Sequence, residues 1–291
     1  MGTCRLWLIA LLLAVVAVAV APAATAGRDA GLAALQVALQ SRGLYAGAID
    51  GVKGPGTTTA IKRFQRRVGL TPNGIPGTAT RKALGRYGTH VLGSRPLTRG
   101  ATGWDVAALQ FLLAWHGFPS ATIDGGLGQH TEAALLRFQR WAGLEPDGVA
   151  GPTTYAALRL APASCPISLA WPVAGQIGDP FGPRGNRFHA GVDIIAPNGA
   201  LVGAAASGRV TWAGRLAGGW GTLVVVAHAN GVRTMYAHLS SIAVRLGERV
   251  ATGDRLGTVG ATGEATGPHL HFEVRLNGVP QNPARFLEAP S

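Results

Sequence analysis

The stretch Gly-Pro-His-Leu-His-Phe-Glu-Val-Arg-Leu, residues 267–276, decides the fold of the C-terminal part of the chain. Its composition and the glycine-rich turn before it predict a β-strand. Residues two apart along a strand point to the same face, about 6.6 Å apart. His269, His271 and Glu273 therefore share one face, and we expect the two imidazoles to present a common surface.

Short β-rich runs separated by glycine-rich turns lie upstream of this strand. They predict an antiparallel β domain over residues 171–291, a size that suits a single core. The predicted strands cover residues 192–195, 208–212, 222–227, 233–237 and 271–276.

Five of the eight histidines lie in this β domain. His189 and Asp193 would stand about 13 Å apart on a straight strand, so we expect Gly191 to allow a bend between them. Two imidazoles and one carboxylate suit a tetrahedral zinc ion with its fourth position open to water. Zinc in such a site lets water attack an amide near neutral pH. Spacing alone does not decide which histidine is a ligand and which is an acid or base.

The first half of the chain contains a tandem duplication at an offset of 74 residues, with no gap. Phe64-Gln65-Arg66 falls on Phe138-Gln139-Arg140, for example. Each copy is predicted to form three helices, and Thr131 is predicted to be the N-cap of the middle helix of the second copy. From the sequence, Gln65 and Gln139 are equally compatible with a core role and with ligand binding.

The predicted fold class is therefore multidomain, with two small three-helix all-α repeats followed by a mainly antiparallel β-sheet domain. We assign residues 27–88 to the first repeat and residues 97–160 to the second. Residues 161–170 are small and contain prolines, which is typical of a linker. The β domain takes residues 171–291.

The first 26 residues have the pattern of a secretory signal peptide. Arg5 precedes an apolar run over residues 6–20, and Ala24-Thr25-Ala26 forms a small-x-small cleavage site. The run is shorter than the roughly 20 residues of a membrane span. We expect export and cleavage, the alternative being an uncleaved N-terminal anchor. Cleavage would leave Cys165 as the sole cysteine, so no intramolecular disulfide is expected.

The formal net charge of +12 favours an anionic partner. The arginines are spread along the chain and form no recognisable nucleic-acid motif. Export would also separate the protein from nucleic acid. DNA binding is therefore the weakest alternative.

The β-domain motifs resemble those of the lysostaphin/LytM-like zinc endopeptidases, from about Trp171 to Leu287. The matching segments are His189-x-x-x-Asp193, Gly208-Arg209-Val210, Tyr236-Ala237-His238-Leu239, Gly260-x-Thr262-Gly263 and His269-Leu270-His271. The resemblance implies one Zn²⁺ held by His189, Asp193 and His271. It also implies that His238 and His269 polarise the water and stabilise the developing oxyanion.

Both copies of the repeat resemble the helical peptidoglycan-binding domain of wall hydrolases. The shared features are the Asp-Gly-x-x-Gly loop, the Ala-x-x-x-Phe-Gln helix and the closing Gly-x-x-Gly-x-x-Thr. This resemblance implies binding to the wall without catalysis.

Further residues near the motifs have open roles. Glu273 either orients a ligating imidazole as an acceptor or only sits on its strand. Arg184, Asn186 and Thr262 are predicted to line the substrate groove. His228 is predicted to be a packed structural histidine.

A tyrosine in the loop before the first ligand assists the transition state in some relatives. This chain has Phe181 and Phe188 in that region and no tyrosine, so a phenol from that loop is not expected.

The sequence therefore predicts a secreted, zinc-dependent endopeptidase that hydrolyses amide bonds in peptidoglycan stem peptides or cross-bridges. The alternative is a non-catalytic or latent wall-bound activator of another peptidoglycan hydrolase. Retention of all three expected ligands and both flanking histidines argues against an activator that has lost its zinc site. We expect a monomer at the cell wall, bound to peptidoglycan and to anionic wall polymers, with no nucleic acid and no stable membrane insertion after cleavage.

Overall fold

The computed structural model describes residues 29–160, 162–184 and 187–287 of the 291-residue chain. The predicted signal peptide, Ala161 of the predicted linker and Asn186 of the predicted groove lie outside these ranges. Within them, every helix is too short or too polar to cross a membrane.

Each repeat folds into three α-helices, as the sequence predicts. They are α1 (Ala30–Gln40), α2 (Pro55–Arg67), α3 (Thr78–Ala83), α4 (Trp104–Trp115), α5 (Gln129–Trp141) and α6 (Pro152–Arg159). The N-cap prediction for Thr131 is wrong, because Gly128 holds the cap position of α5. The Thr131 hydroxyl instead donates to the Gly126 carbonyl at 3.1 Å, which ties the first turn of α5 to the preceding loop.

A buried glutamine anchors the loop that follows each of the four longer helices. In α4, Gln110 accepts from the backbone N–H of Gly125 at 2.8 Å and donates to the Asp124 carboxylate at 2.9 Å. Gln36 and Gln139 make the same contacts, and Gln65 differs only in donating to the amide oxygen of Asn73 instead of a carboxylate. Gln65 and Gln139 therefore serve the fold. The pattern also shows that each repeat is itself built from two similar helix–loop units, which the sequence comparison did not reveal.

Helix α4 belongs to both repeats at once. Its Ala107 and Phe111 pack into the core of the first repeat, whereas Leu109 and Leu113 pack into the core of the second. A helix that is buried on nearly all sides needs packing partners on each of them. The two repeats therefore pack as one unit around α4, although they are separate in sequence.

The β domain is antiparallel, as predicted, and its main sheet has eight strands. The strands are β1 (Gln176–Asp179), β2 (Gly182–Arg184), β3 (Arg187–His189), β4 (Val192–Ile195), β5 (Leu201–Gly203), β6 (Gly208–Leu216), β7 (Gly221–Ala227), β8 (Val232–Ala237), β9 (Ser241–Ile242), β10 (Arg249–Val250), β11 (Arg255–Thr258), β12 (His269–Leu276) and β13 (Val279–Gln281). The main sheet runs β1-β4-β12-β8-β7-β6-β10, with β13 on the end of β12. A three-stranded sheet β5-β11-β9 and the hairpin β2-β3 complete the domain.

One face of the main sheet forms the core, and Tyr236 lies at its centre. Its hydroxyl accepts from the backbone N–H of Ala205 and from the Thr234 hydroxyl, both at 2.8 Å. Burial raises the pKa of Tyr236 to about 12, so the phenol stays neutral. The other face of the same strands is left to carry the functional side chains.

The segment predicted as a linker packs on the β domain. Leu169 is fully buried in the domain core, and the backbone N–H of Ala170 donates to the Ala205 carbonyl at 2.8 Å. Arg285 donates to the Pro162 carbonyl at 3.0 Å. Cys165 packs against the same core, and burial raises the pKa of its thiol. These contacts make the described part of the segment an ordered connection.

His116 is buried where the second repeat meets the β domain. Its Nε2 lies 3.2 Å from the Leu158 carbonyl. In the first repeat Arg42 occupies the equivalent position, and it donates to the equivalent carbonyl, that of Leu84, at 2.8 Å. Burial lowers the pKa of His116 against the effect of the Leu158 hydrogen bond, and the Arg285 guanidinium lowers it further. The folded protein thus favours a neutral ring.

We expect the protein to lose stability as the pH falls below about 6.5, where a histidine of the unfolded chain takes up a proton. The folded state disfavours protonation of His116. The contribution of His116 to the free energy of unfolding is therefore complete above that pH and declines below it. His116→Gln keeps a donor for the Leu158 carbonyl but does not titrate. Urea unfolding at neutral and mildly acidic pH should show a smaller pH dependence for the variant, by at most about 1.4 kcal/mol per pH unit. Equal slopes for both proteins would contradict the assignment.

Candidate metal centre and active-site cleft

Three strands bring His189, Asp193 and His271 together. Strand β12 pairs with β4 so that His271 lies directly opposite Asp193, and β3 ends at His189. His189 Nε2 lies 3.0 Å from both Asp193 Oδ1 and His271 Nδ1, and His271 Nδ1 lies 2.8 Å from the same carboxylate oxygen. Tetrahedral zinc with bonds of about 2.0–2.1 Å spaces its ligand atoms about 3.3 Å apart. The three side chains are therefore within a few tenths of an ångström of that geometry.

Gly191 makes this approach possible, though for a different reason from the predicted bend. A Cβ atom at residue 191 would collide with the Phe272 carbonyl and lie 2.9 Å from Glu273 Cγ. The absence of a side chain lets the chain between β3 and β4 pass directly over β12.

The cluster requires positive charge. His189 has Asp193 at one ring nitrogen and the Pro180 carbonyl, 2.9 Å away, at the other. His271 likewise lies between Asp193 and Glu273. A neutral imidazole has a single N–H, so a ring with acceptors at both nitrogens needs either a second proton or a metal ion. A divalent cation at the centre satisfies both rings at once.

The pKa shifts reflect the same requirement. Burial alone would raise the pKa of Asp193, but hydrogen bonds with His189 and His271 outweigh it and hold that pKa well below its usual range. Burial alone would lower the pKa of His271, but its hydrogen bonds to Asp193 and Glu273 raise it. The carboxylate is thus held ionised, as a metal ligand must be.

Arg184 borders the cluster. One guanidinium nitrogen lies 3.3 Å from the Asp179 carboxylate, and the other lies 3.4 Å from Asp193 and 2.6 Å from His189 Nδ1. It competes with the Pro180 carbonyl for His189 Nδ1, because a guanidinium only donates and a carbonyl only accepts. A metal ion at Nε2 would leave the ring proton on Nδ1, and the carbonyl would then be its partner.

His238 and His269 stand beside the cluster with matching orientations. His238 Nδ1 lies 2.7 Å from the Thr262 carbonyl, and His269 Nδ1 lies 2.8 Å from the Gly267 carbonyl. Because a carbonyl accepts only, each Nδ1 carries a proton, and in the neutral form of either ring Nε2 has a lone pair. The two rings are 4.8 Å apart. Both can therefore accept a proton from a group in the cleft.

His238 is held in an unusual backbone conformation. Its φ of 63° lies in the left-handed region, and its N–H donates to the Trp220 carbonyl at 3.1 Å. Backbone strain of this kind persists where the surroundings over-determine it and is common at active sites. Burial lowers the pKa of His238, and neighbouring imidazoles lower it further against the Thr262 hydrogen bond. The ring is consequently neutral near pH 7.

Glu273 lies behind the cluster on the same strand as His271. It is fully buried, with Oε1 3.4 Å from His271 Nε2 and Oε2 accepting from Arg275 at 2.7 Å. This places it as an acceptor on the side of His271 away from Asp193, the usual arrangement for fixing the tautomer of a metal-bound histidine.

The histidine cluster opens into a cleft of about 430 Å³. Arg184 and Phe188 line it, and no tyrosine does among the residues that the structure describes. Thr262 lies behind His238 instead, because its hydroxyl donates to the Leu239 carbonyl at 3.0 Å and its own carbonyl holds His238.

Some residues near the site were not predicted from the sequence, and one histidine lies apart from it. Trp220, Glu264 and Thr266 line the cleft, and the Trp220 ring is 5.4 Å from that of His271. The sequence feature that could have indicated Trp220 is its position directly after the Gly218-Gly219 turn. His228 contacts the Ser207 carbonyl and the Thr234 hydroxyl away from the cluster, in line with its predicted structural role.

Two family models match the chain, and they cover the regions just described. Residues 187–283 match peptidase family M23. Residues 28–84 and 102–158 match a peptidoglycan binding domain. The chain carries an M23 peptidase domain behind two peptidoglycan binding domain repeats. Both sequence resemblances are thereby confirmed.

Individual relatives match parts of this chain. It is 48% identical over 114 residues to the DD-carboxypeptidase/endopeptidase Mpg of Neisseria meningitidis, which is 37% of this chain and 26% of that protein. It is 33% identical over 176 residues to the murein hydrolase activator NlpD of Salmonella dublin, which is 58% of this chain and 46% of that protein. The chain thus spans about a quarter and about half of these two curated relatives.

A solved structure of the lysostaphin catalytic domain from Staphylococcus simulans is also similar. It is 33% identical and matches 38% of this chain and 91% of that one, with a TM-score of 0.37.

We expect the folded protein to bind one Zn²⁺ per chain and Asp193→Ala to lose it, because the carboxylate is the only anionic group of the trio. Glu273→Gln should weaken zinc binding by about 10–100-fold through the orientation of His271. His228→Gln, a histidine outside the cluster, is the control and should bind as the wild type does. Competition with a chromophoric chelator measures all four proteins. Unchanged affinity in Asp193→Ala would show that the metal binds elsewhere.

Proposed function

We propose that this chain is a secreted, zinc-dependent endopeptidase that hydrolyses amide bonds in peptidoglycan stem peptides or cross-bridges. The observation that carries the proposal is the convergence of His189, Asp193 and His271 beside two further histidines whose free nitrogens face the same cleft. A binding-only domain has no need for such a set. The M23 match and the similarity to Mpg support hydrolysis as the activity.

The three cluster residues would hold the ion, and the remaining groups would do the proton chemistry. Zinc bound there supplies Lewis acidity, which polarises a scissile carbonyl and makes water more acidic near neutral pH. His238 Nε2 is a neutral acceptor and takes the proton from the attacking water. The resulting imidazolium is then the donor for the departing amine nitrogen.

His269 complements His238 rather than duplicating it. The two rings are too close for both to be charged at once without strong repulsion, so one proton at a time moves through the pair. In this division of labour His269, whose Nδ1 is held by the Gly267 carbonyl, uses the lone pair on Nε2 to accept a hydrogen bond from the attacking water and orient it for His238. Glu273 and the Pro180 carbonyl keep the ligating rings in their metal-binding tautomers.

Location and targeting follow from the repeats. Their family match supports peptidoglycan as the partner and the cell wall as the place of action. The net charge of +12 adds salt-sensitive attraction to anionic wall polymers. We propose export by the N-terminal segment and action as a monomer.

The test is mass spectrometry of fragments released when the purified protein meets isolated peptidoglycan. We expect new amino termini from the wild type and a loss of at least about 100-fold in His238→Ala, as is typical for an acid–base residue. His228→Ala, run beside it, should keep full activity. The new termini also name the bond that is cut.

The activator alternative, to which the similarity to NlpD points, gives a different result. An activator releases nothing alone but increases release when a second hydrolase is added, and it does so equally well as His238→Ala. That outcome would overturn the endopeptidase proposal.

A further inference from the structure

We propose that the second repeat is a structural part of the active site, in which Trp115 is a positioning residue for His189. The inference deepens the proposed function and rests on it, since His189 is there a metal ligand. Trp115 is the last residue of α4, in a repeat that matches a peptidoglycan binding domain.

Trp115 contacts the peptidase domain directly. Its ring meets that of Phe181 edge-on with centroids 6.2 Å apart, and stacks on Phe111 on the other side at 6.4 Å with nearly parallel planes. Phe111 is fully buried in the core of the first repeat. The Trp115 ring is thus supported from behind by both repeats and presses on the peptidase domain in front.

The segment that Trp115 touches holds His189. Phe181 is almost fully buried and also packs edge-on against Phe188, which precedes His189 in β3. The neighbouring Pro180 carbonyl lies 2.9 Å from His189 Nδ1, and Gly182 pairs with His189 across the β2–β3 hairpin. A shift of Phe181 would therefore move both the carbonyl and the strand that orient the imidazole.

Comparison of the two repeats shows that Trp115 is not needed for the repeat itself. The equivalent position in the first repeat is Ser41, which is exposed. Trp115 accordingly packs with the core of the peptidase domain and not with that of its own repeat. The tryptophan is present where the domain contact exists and missing where it does not.

A second contact fixes the same docking. A side chain at Gly117 would collide with the Pro280 carbonyl and come within 2.7 Å of Val279 on β13. The equivalent Gly43 of the first repeat has open space around it. Both glycines have positive φ, 89° and 69°, so an alanine strains the backbone similarly at either position. Comparing an alanine at residue 117 with one at residue 43 therefore distinguishes loss of the domain contact from backbone strain.

The experiment measures zinc affinity of the full chain by chelator competition in four variants. Trp115→Ala should weaken zinc binding by about tenfold or more, as loss of groups that orient a ligating histidine does. Trp115→Phe, which keeps an aromatic ring against Phe181, should restore most of it. Gly117→Ala should weaken binding, whereas Gly43→Ala should not.

Activity on a soluble cross-linked peptide gives a second readout. A misplaced ligand should lower kcat with little change in KM, whereas loss of wall targeting would leave both unchanged. Far-UV circular dichroism checks that each variant is folded.

Wild-type zinc affinity in Trp115→Ala, or equal losses in Gly117→Ala and Gly43→Ala, would overturn the inference and leave the proposed function intact. Failure of the wild type itself to bind zinc would overturn both.

Discussion

The pairing of β4 with β12 is the constraint on which the rest of the site depends. It sets Asp193 opposite His271, and the pairing of β12 with β8 sets Ala237, the residue before His238, opposite the same histidine. Because side chains alternate along a strand, a slip of one residue in either ladder would send the functional face into the core. The apolar residues on the opposite face, among them Tyr236 and Phe272, fix that register through burial. The chemistry of the site is thus a consequence of core packing.

Around this pairing, the site is organised by acceptors at its periphery. Backbone carbonyls of Pro180, Thr262 and Gly267 and the buried Glu273 each face the outer nitrogen of one imidazole. These acceptors favour a proton on the outer nitrogen of each ring. The inner nitrogens of His189 and His271 then converge on the Asp193 carboxylate, an arrangement that could hold a metal ion.

The α-helical half of the molecule packs directly against the region that carries this site and is not only connected to it by the chain. Helix α4 contributes to the cores of both repeats and ends on the hairpin that carries His189. The segment between the helical and β regions is also packed, with Leu169 buried. In the proposed function, tethering alone would raise the local substrate concentration whatever the orientation of the β domain. A docked repeat would also set the direction in which the cleft faces a polymer bound to the repeats.

The sequence by itself determined the duplicated helices, five of the strands of the β domain, and which histidines share the face of β12. The period of two in β12 placed His269, His271 and Glu273 on one face, and the offset of 74 residues revealed the duplicated helices. These are local properties, because the geometry of a strand or helix fixes the spacing of residues that share a face.

Only the tertiary structure decided what those elements pack against. Nothing in the spacing of α4 shows that one side faces the first repeat and its end faces Phe181, because a helical pattern marks buried faces without naming their partners. Trp220 and Glu264 reach the cleft through long-range turns, and Gln65 is buried by a loop that closes over it. Thr131 resembled a cap because the residue type suits one, yet the loop geometry gave that position to Gly128. The contacts of α4, Trp220 and Glu264 join residues far apart in the chain, which only the folded chain brings together. Those of Gln65 and Thr131 are local, but they depend on a loop geometry that the residue type alone does not specify.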